Sequence, residues 1–173
     1  LPADGGPLIT GIQQFMAVEG WESMTWAVLD HRRRPKPGYD ALRRAMAPLL
    51  VSVELRDGRG HPAPRPRAGR PTELRAWLLN DLRDPVAAGT LTWSVRPIAD
   101  PRLPGENGRS APDGAAATAS GTLPFAGASG DSATIVGEAE VRLPVGWHRF
   151  ELRLSDAAGR ELAANRLDVE VRR

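Results

Sequence analysis

The sequence has 173 residues, which is enough for one complete domain and a piece of another. It contains no Cys, which excludes disulfides, thiolate metal sites and a Cys nucleophile, and its three His residues lack metal-ligand spacing, so neither a metal nor another cofactor is predicted. The formal net charge is only +2, no apolar run approaches the ~18 residues of a membrane helix, and the 18 Gly and 16 Pro are typical of a β-rich protein with many turns.

The N-terminal part predicts one strand and one helix. Residues 8–18 (LITGIQQFMAV) are rich in apolar side chains, as in a buried strand of a parallel sheet or barrel. A long connection follows over residues 19–36 and contains a second candidate strand at residues 26–29. Residues 37–47 predict a helix, because apolar residues recur at helical spacing along one face and Pro48 ends the pattern.

Beyond Pro48 the apolar residues alternate with polar ones, which indicates strands with one buried face. The predicted strands are residues 51–55, 74–79, 91–95, 135–143, 150–154 and 162–171. Two long Gly- and Pro-containing loops are predicted at residues 57–71 and 99–121. About seven short strands of this kind predict two antiparallel sheets packed face to face, as in an immunoglobulin-like sandwich.

The change of period near Pro48 divides the sequence into two regions, residues 1–48 and residues 49–173. A lone strand and helix cannot form a core by themselves. The first region is therefore expected either to dock on the sandwich or to belong to a domain that continues upstream.

The segment from Gly11 to Val53, which contains FMAVEGWESMTWAVLDHRRRPKPGYDALRRAMAPLLVS, resembles the end of the catalytic barrel in glycoside hydrolase family 2, the family of β-galactosidases, β-glucuronidases and β-mannosidases. The matching positions are Trp21, Trp26, Asp30, Lys36, Tyr39, Pro48 and Leu50 to Ser52. The segments LRAWLLNDL and GTLTWSV, together with the final hairpin HRFELRLSDAAGRELAANRLDVEV, are similar to the C-terminal sandwiches of that family.

The resemblance implies a mainly β chain, in which an immunoglobulin-like antiparallel β-sandwich is preceded by a strand-loop-helix remnant of a (β/α)8 barrel. It also implies a retaining glycoside hydrolase as the parent protein, with two catalytic carboxylates ~5–5.5 Å apart. In the family these Glu residues belong to the fourth and seventh barrel strands, which would lie upstream of Leu1. No catalytic residue is therefore predicted in this chain, and it is expected to be inactive alone.

Glu19, Trp21 and Phe15 are predicted to contact the sugar in the parent enzyme. Glu19 would lie at the C-terminal end of a barrel strand, where barrel enzymes build their sites, and would accept a hydrogen bond from a sugar hydroxyl. The alternatives for Glu19 are a solvated loop acid or a partner of the Arg32–Arg34 cluster. Trp21 would stack on a sugar ring or pack against the barrel end. The chain departs from the family pattern at the pocket positions Phe15, Met16, Val18 and Glu19.

Structural roles are predicted for other conspicuous residues of the long connection. Trp26 is expected to be buried, and Asp30 is expected to pair with Arg34 or Lys36 and so to fix this connection. In the sandwich, the indoles of Trp77 and Trp93 are predicted to lie in the core, and the role of Trp147 is left open.

The Arg-rich stretch 56–75 is interpreted as a solvated loop, because it has no aromatic residues beside its charges and is broken by four Pro.

The predicted function is that of a noncatalytic C-terminal segment of a glycoside hydrolase, whose sandwich braces the barrel or forms a homo-oligomer contact. The predicted partners are the upstream barrel and, through the parent enzyme, carbohydrate. No binding to nucleic acid or to membranes is predicted. The alternatives are a freestanding sandwich that binds carbohydrate or protein, and a chain that assembles with a separately encoded barrel. The compartment, bacterial cytoplasm or secreted, stays open.

Overall fold

A computed structural model describes residues 16–23, 25–101 and 116–173. The chain divides into two compact units, one that extends to Met46 and one that runs from Ala47 to Arg173. We call them the N-terminal unit and the sandwich unit. Most of the strand predicted at residues 8–18 lies outside the described residues. In the part of the chain that is described, no helix has the length and apolar character needed to cross a membrane.

The N-terminal unit contains the predicted helix, α1, at Pro37–Ala45. Pro37 occupies its first turn, where the missing N–H costs no hydrogen bond, and no residue of α1 is buried. The strand predicted at residues 26–29 is reduced to bridges at Leu29, which pairs in parallel with Val18 and antiparallel with Pro35.

Seven strands form the described part of the sandwich unit. They are β1 (Leu49–Arg56), β2 (Thr72–Asn80), β3 (Gly89–Ile98), β4 (Ala119–Phe125), β5 (Ser132–Val141), β6 (Gly146–Asp156) and β7 (Glu161–Val171). They make a three-stranded sheet in the order β1-β2-β5 and a four-stranded sheet in the order β4-β3-β6-β7, with every pair antiparallel. This crossed order is that of an immunoglobulin-like sandwich, so the predicted fold class is confirmed.

The core of the sandwich unit lies between the two sheets and follows directly from the alternation in the sequence. In β2 the side chains of Leu74, Ala76 and Leu78 are fully buried, and their neighbours along the strand are only half-buried. Phe150 of β6 is 1% exposed and belongs to the same apolar cluster. Burial of a side chain of this size contributes about 1.5–3 kcal/mol, so this cluster dominates the stability of the unit.

Among the strands that the structure describes, β4 is the one that the alternation of apolar and polar residues does not predict. Its sequence, ASGTLPF, lacks a clear apolar face, and Pro124 cannot donate to a ladder. Both features are tolerated because β4 lies at the edge of its sheet. Gly121 is needed because a Cβ there would stand 2.9 Å from the indole of Trp93, which packs across the strand pair.

The prediction that both indoles lie in the core is confirmed for Trp93 and wrong for Trp77. Trp93 is 7% exposed and belongs to the core cluster. Trp77 has the opposite parity to Leu74, Ala76 and Leu78, so its half-buried side chain lies on the outer face of the sheet. There its indole N–H donates to a carboxylate oxygen of Glu54 at 3.2 Å.

Three turns of the molecule share one geometry and begin at Asp30, Asp57 and Asp156. In each, one carboxylate oxygen accepts the N–H groups of the residues two and four positions further on, at 2.8–3.0 Å. The Asp carbonyl also accepts the N–H three positions on, and the Asp N–H donates to the carbonyl four positions on. The carboxyl pKa of all three Asp residues is below its ordinary value. The largest cause in each turn is the hydrogen bond from the backbone N–H of the residue four positions after the Asp.

The fourth residue of each turn has a left-handed backbone conformation. It is Gly60, with φ 79°, and Gly159, with φ 80°, in the sandwich unit, but Arg33, with φ 61°, in the N-terminal unit. Gly adopts this conformation without steric cost, whereas an L side chain is disfavoured there by roughly 1–2 kcal/mol. The turn of the N-terminal unit is therefore strained in a way that its two counterparts are not.

Candidate functional site

The predicted sugar-contacting residues fall in the N-terminal unit, in or just before the connection that leads to α1. Glu19 and Trp21 are described by the structure, and Phe15 lies outside the described residues. The backbone around Glu19 is fixed by two hydrogen bonds to one partner residue. Glu19 N donates to Leu29 O at 3.2 Å, and Leu29 N donates to Ala17 O at 3.0 Å.

The chain returns to Glu19 through the turn that begins at Asp30. Asp30 N donates to Arg34 O at 3.0 Å, and Lys36 N donates to Val28 O at 2.9 Å. The Asp30 carboxylate also accepts from the guanidinium of Arg34 at 2.7 Å. The prediction that Asp30 pairs with Arg34 or Lys36 is therefore confirmed for Arg34, and this pairing closes the turn that brings Lys36 beside Glu19.

The side chain of Glu19 is the centre of a buried polar network. It is 5% exposed, and its Oε1 accepts hydrogen bonds from the ammonium of Lys36 and from the hydroxyl of Thr25, the latter at 3.1 Å. The same ammonium donates to the Thr25 carbonyl at 3.1 Å, and the Thr25 hydroxyl accepts the N–H of Ala27 at 3.2 Å. These hydrogen bonds tie Glu19 and Thr25 to Lys36, the residue that precedes α1.

The network sets the charge of Glu19. The hydrogen bond from Lys36 is the largest cause that holds the pKa of Glu19 below its ordinary value, although burial acts in the opposite direction. The carboxylate therefore stays ionised at neutral pH and is unsuited to act as a general acid there. Its environment is also neither of the two alternatives: it is not solvated, and its charged partner is Lys36 and not the Arg cluster.

The two indoles of this unit lie on its surface. Trp21 is 74% exposed and Trp26 is 68% exposed. The exposure of Trp21 leaves a ring face accessible, as a stacking role requires. The prediction that Trp26 is buried is wrong for this chain, because the described part of the unit supplies too few neighbouring side chains to cover an indole.

The sequence interpretation missed the roles of Thr25 and Lys36. A signal was present for Lys36, which is the only Lys among 23 basic residues and therefore stands out in a chain that otherwise uses Arg. Nothing in the spacing marked Thr25, since its contact with Glu19 depends on the path of the loop. Within the described residues, no group of three or more His, Cys, Asp or Glu is placed to hold a metal ion.

Comparison with solved structures relates this architecture to known proteins. The chain superposes on the β-D-mannosidase of Dictyoglomus thermophilum with a TM-score of 0.50 and 17% identity, over 90% of this chain and 16% of that one. It superposes on the exo-chitosanase of Amycolatopsis orientalis with a TM-score of 0.56 and 14% identity, over 91% of this chain and 15% of that one. The chain shares its fold with part of two glycosidases.

A third structure, of an exo-β-D-glucosaminidase, gives a TM-score of 0.58 and 15% identity over 93% of this chain and 16% of that one. The chain thus spans only 15–16% of the length of the structures it matches. No family model matches the sequence, and no curated protein matches it either. At these identities the likeness establishes the fold, and at that level the resemblance to glycoside hydrolase family 2 is confirmed.

Proposed function

We propose that this chain is a noncatalytic C-terminal segment of a glycoside hydrolase similar to family 2. Residues 1–48 would be the last strand and helix of its catalytic (β/α)8 barrel, and residues 49–173 an immunoglobulin-like sandwich that braces the barrel. The observation that carries the proposal is the common fold with glycosidases over 90–93% of this chain. That coverage includes part of both units, since residues 47–173 make up less than three-quarters of the chain.

The surface of the N-terminal unit supports a role as part of a larger domain. Four of its apolar side chains are exposed by 38–74%: Val18, Trp21, Trp26 and Met46. A small protein rarely leaves so much apolar surface uncovered without a partner for it. The partner that we propose is the rest of the barrel, which would also contribute the two catalytic carboxylates.

We propose Glu19, Trp21 and Phe15 as sugar-contacting residues of that parent enzyme. Trp21 has the accessible indole face that stacking on a pyranose requires. Oε1 of Glu19 already accepts hydrogen bonds from Lys36 and Thr25, so its contribution to the pocket would include holding the loop that carries Trp21. A homo-oligomer contact through the sandwich stays a prediction.

The test starts from the sequence that precedes Leu1 in the gene. We expect a barrel with Asn-Glu after its fourth strand and a second Glu after its seventh. The longer protein should hydrolyse an aryl β-glycoside, whereas the 173-residue chain should not, because both carboxylates would be missing. Aryl β-mannoside, β-galactoside, β-glucuronide and β-glucosaminide are the substrates to compare.

Clear turnover of any of these substrates by the purified 173-residue chain would contradict the proposal, as would an upstream sequence without a barrel. A Trp21→Ala change in the longer protein should raise KM. The alternative, a freestanding carbohydrate-binding sandwich, would be favoured by retention of the chain on a neutral glycan gel that is lost on Trp147→Ala.

A further inference from the structure

A cleft of about 800 Å³ lies at the end of the sandwich unit where β1 gives way to β2. It is lined by the long loop 57–71, which the sequence suggested was simply solvated. Four of its lining side chains are guanidinium groups, from Arg59, Arg65, Arg67 and Arg70. Pockets of about 300–1,000 Å³ are the usual size for small ligands or for a few units of a polymer.

The loop that carries these Arg residues is fixed to the sandwich by its backbone. Ala68 N donates to Arg172 O at 2.7 Å, and Arg172 N donates to Pro66 O at 2.9 Å, so that the loop pairs with the chain just after β7. Gly69 N donates to Leu143 O at 3.0 Å, and Pro66 is buried. The cleft is therefore lined by an ordered segment, which lowers the entropy lost when a ligand binds.

Two turns hold the charges close together. Arg70 N donates to Arg67 O at 3.2 Å across a turn in which Gly69 has φ 69°. The Cα atoms of Arg67 and Arg70 at the ends of such a turn therefore lie within about 7 Å of one another. Arg59 lies in the turn that begins at Asp57, where the Asp57 carboxylate accepts its backbone N–H at 2.9 Å.

The positive charge of the cleft is not balanced by its own carboxylates. Among the residues that the structure describes, Arg59, Arg67 and Arg70 form no ion pair within 4.0 Å, and Arg65 is 3.8 Å from Glu170. The one carboxylate in the lining is Asp57, which accepts backbone N–H groups and interacts through its charge with Arg59, so that one carboxylate faces four guanidinium groups. The cleft therefore has an excess of guanidinium groups that face solvent.

Acidic side chains also lie next to the cleft, where three carboxylates share two Arg partners. Arg75 contacts Glu73 at 3.1 Å and Glu138 at 2.6 Å. Glu140 is contacted by Arg142 at 3.1 Å. These carboxylates line a neighbouring depression, and their arginine partners reduce the repulsion that they would exert on an anion in the cleft.

We propose that this cleft binds an acidic polysaccharide through the carboxylate or sulfate groups of its sugar units. The planar guanidinium matches an oxyanion with two parallel hydrogen bonds, which makes Arg better suited than Lys to this recognition. A single-stranded nucleic acid is a poorer fit, because the residues that line the cleft include no aromatic side chain for base stacking. The inference does not depend on the proposed role of the chain as a glycosidase segment.

The test is affinity electrophoresis of the 173-residue chain in gels that contain polygalacturonate, dextran sulfate or neutral dextran, with oligo(dT) as a competing polyanion. We expect retardation by polygalacturonate or dextran sulfate that weakens with salt, and none by neutral dextran. Which of the two polymers retards the chain more tells carboxylate from sulfate recognition. The double variant R67Q/R70Q should bind about tenfold more weakly, because two charge-assisted contacts are lost.

The matched control is R43Q/R166Q, which removes the same charge from two exposed positions outside the cleft. Because the 67–70 turn is closed by backbone groups, R67Q/R70Q should melt at the same temperature as the control. The single variant R59Q provides a second measurement at the other side of the cleft. Unchanged binding by R67Q/R70Q, an equal loss in the control, or tighter binding to oligo(dT) than to either polysaccharide would overturn the proposal.

Discussion

The sandwich unit joins eighteen buried apolar side chains in one cluster, whereas the described residues of the N-terminal unit bury only Ala27 and Glu19. The sandwich unit is therefore stabilised mainly by the hydrophobic effect. The N-terminal unit is held by backbone hydrogen bonds, by the Asp30 turn and by the ion pair of Glu19 with Lys36. The comparison teaches that a segment can keep a defined local geometry without a core of its own.

The same difference is visible in the shared turn. The sandwich unit places Gly at the left-handed position of both of its turns, and the N-terminal unit places Arg33 there. The carboxylate accepts two backbone N–H groups in all three turns. The same polar contacts therefore hold the turn whether Gly or Arg33 occupies the left-handed position.

The largest effect should come from breaking the sandwich core. Phe150→Ala removes a ring that is 1% exposed and should lower the free energy of unfolding by about 3–5 kcal/mol. Urea denaturation followed by far-UV circular dichroism measures the change. Trp21→Ala is the control, because its side chain is 74% exposed and its loss should change stability by less than about 0.5 kcal/mol. Comparable losses in the two variants would contradict the contrast between the units.

A smaller effect should follow from exchanging the turn residues. Arg33→Gly should relieve strain and stabilise the N-terminal unit locally by about 1 kcal/mol, while Gly159→Ala should destabilise the sandwich unit by a similar amount. Hydrogen exchange at the amides of Leu29 and Lys36 reports on the first variant, and thermal unfolding reports on the second. Slower exchange at Leu29 and Lys36 is expected in Arg33→Gly. Faster exchange there would show that Arg33 makes a contact that outweighs its backbone strain.

The smallest and most local effect is expected from lowering the pH, which should disturb the N-terminal unit while the buried strands of the sandwich unit stay folded. The pKa values of Glu19 and Asp30 are lowered, so their stabilisation is fully present above their ordinary values of 4.5 and 3.8 and is lost as the pH falls through the lower values of the folded chain. Amide signals of the N-terminal unit should therefore change in an NMR titration to about pH 2, while the buried strands of the sandwich keep theirs.

The variant Glu19→Gln gives the control for this titration. It should remove the part of the pH dependence that comes from the contact with Lys36 and leave the part from Asp30. Loss of the sandwich signals before those of the N-terminal unit would show that the sandwich depends more on its Asp turns than on its core.

Most of the sandwich could be predicted from the sequence, because alternation reports directly which side chains face the core. The helix Pro37–Ala45 could be predicted for a similar reason, since Pro37 and Pro48 mark its limits. β4 could not, because an edge strand needs neither a continuous apolar face nor a full set of N–H donors. The prediction for Trp77 is wrong although the alternation in β2 already puts it on the opposite face from Leu74, Ala76 and Leu78. A large aromatic side chain favours burial, but position along the strand decides which face it occupies.

The site was less predictable than the fold. Glu19 was recognised as important from its position after a strand, but its partner Lys36 lies seventeen residues further along the chain. Their contact depends on a turn that is closed by backbone hydrogen bonds and by the carboxylate of Asp30. The cleft lined by Arg side chains depends in the same way on the path of the loop 57–71. The sequence shows that this loop is positively charged but not that its Arg residues line one cleft.

The turn at Asp156 has a further consequence for how the chain folds. It connects β6 and β7, which at 11 residues each are the longest strands, through the four residues 157–160. Pairs that are close in sequence lose little chain entropy when they form, whereas β2 must find β5 across the whole of β3 and β4. We therefore expect the β6–β7 hairpin to assemble first. Because this hairpin is also the last part of the sandwich to be synthesised, the apolar face of the three-stranded sheet lacks β6 and β7 to pack against until the ribosome has delivered them.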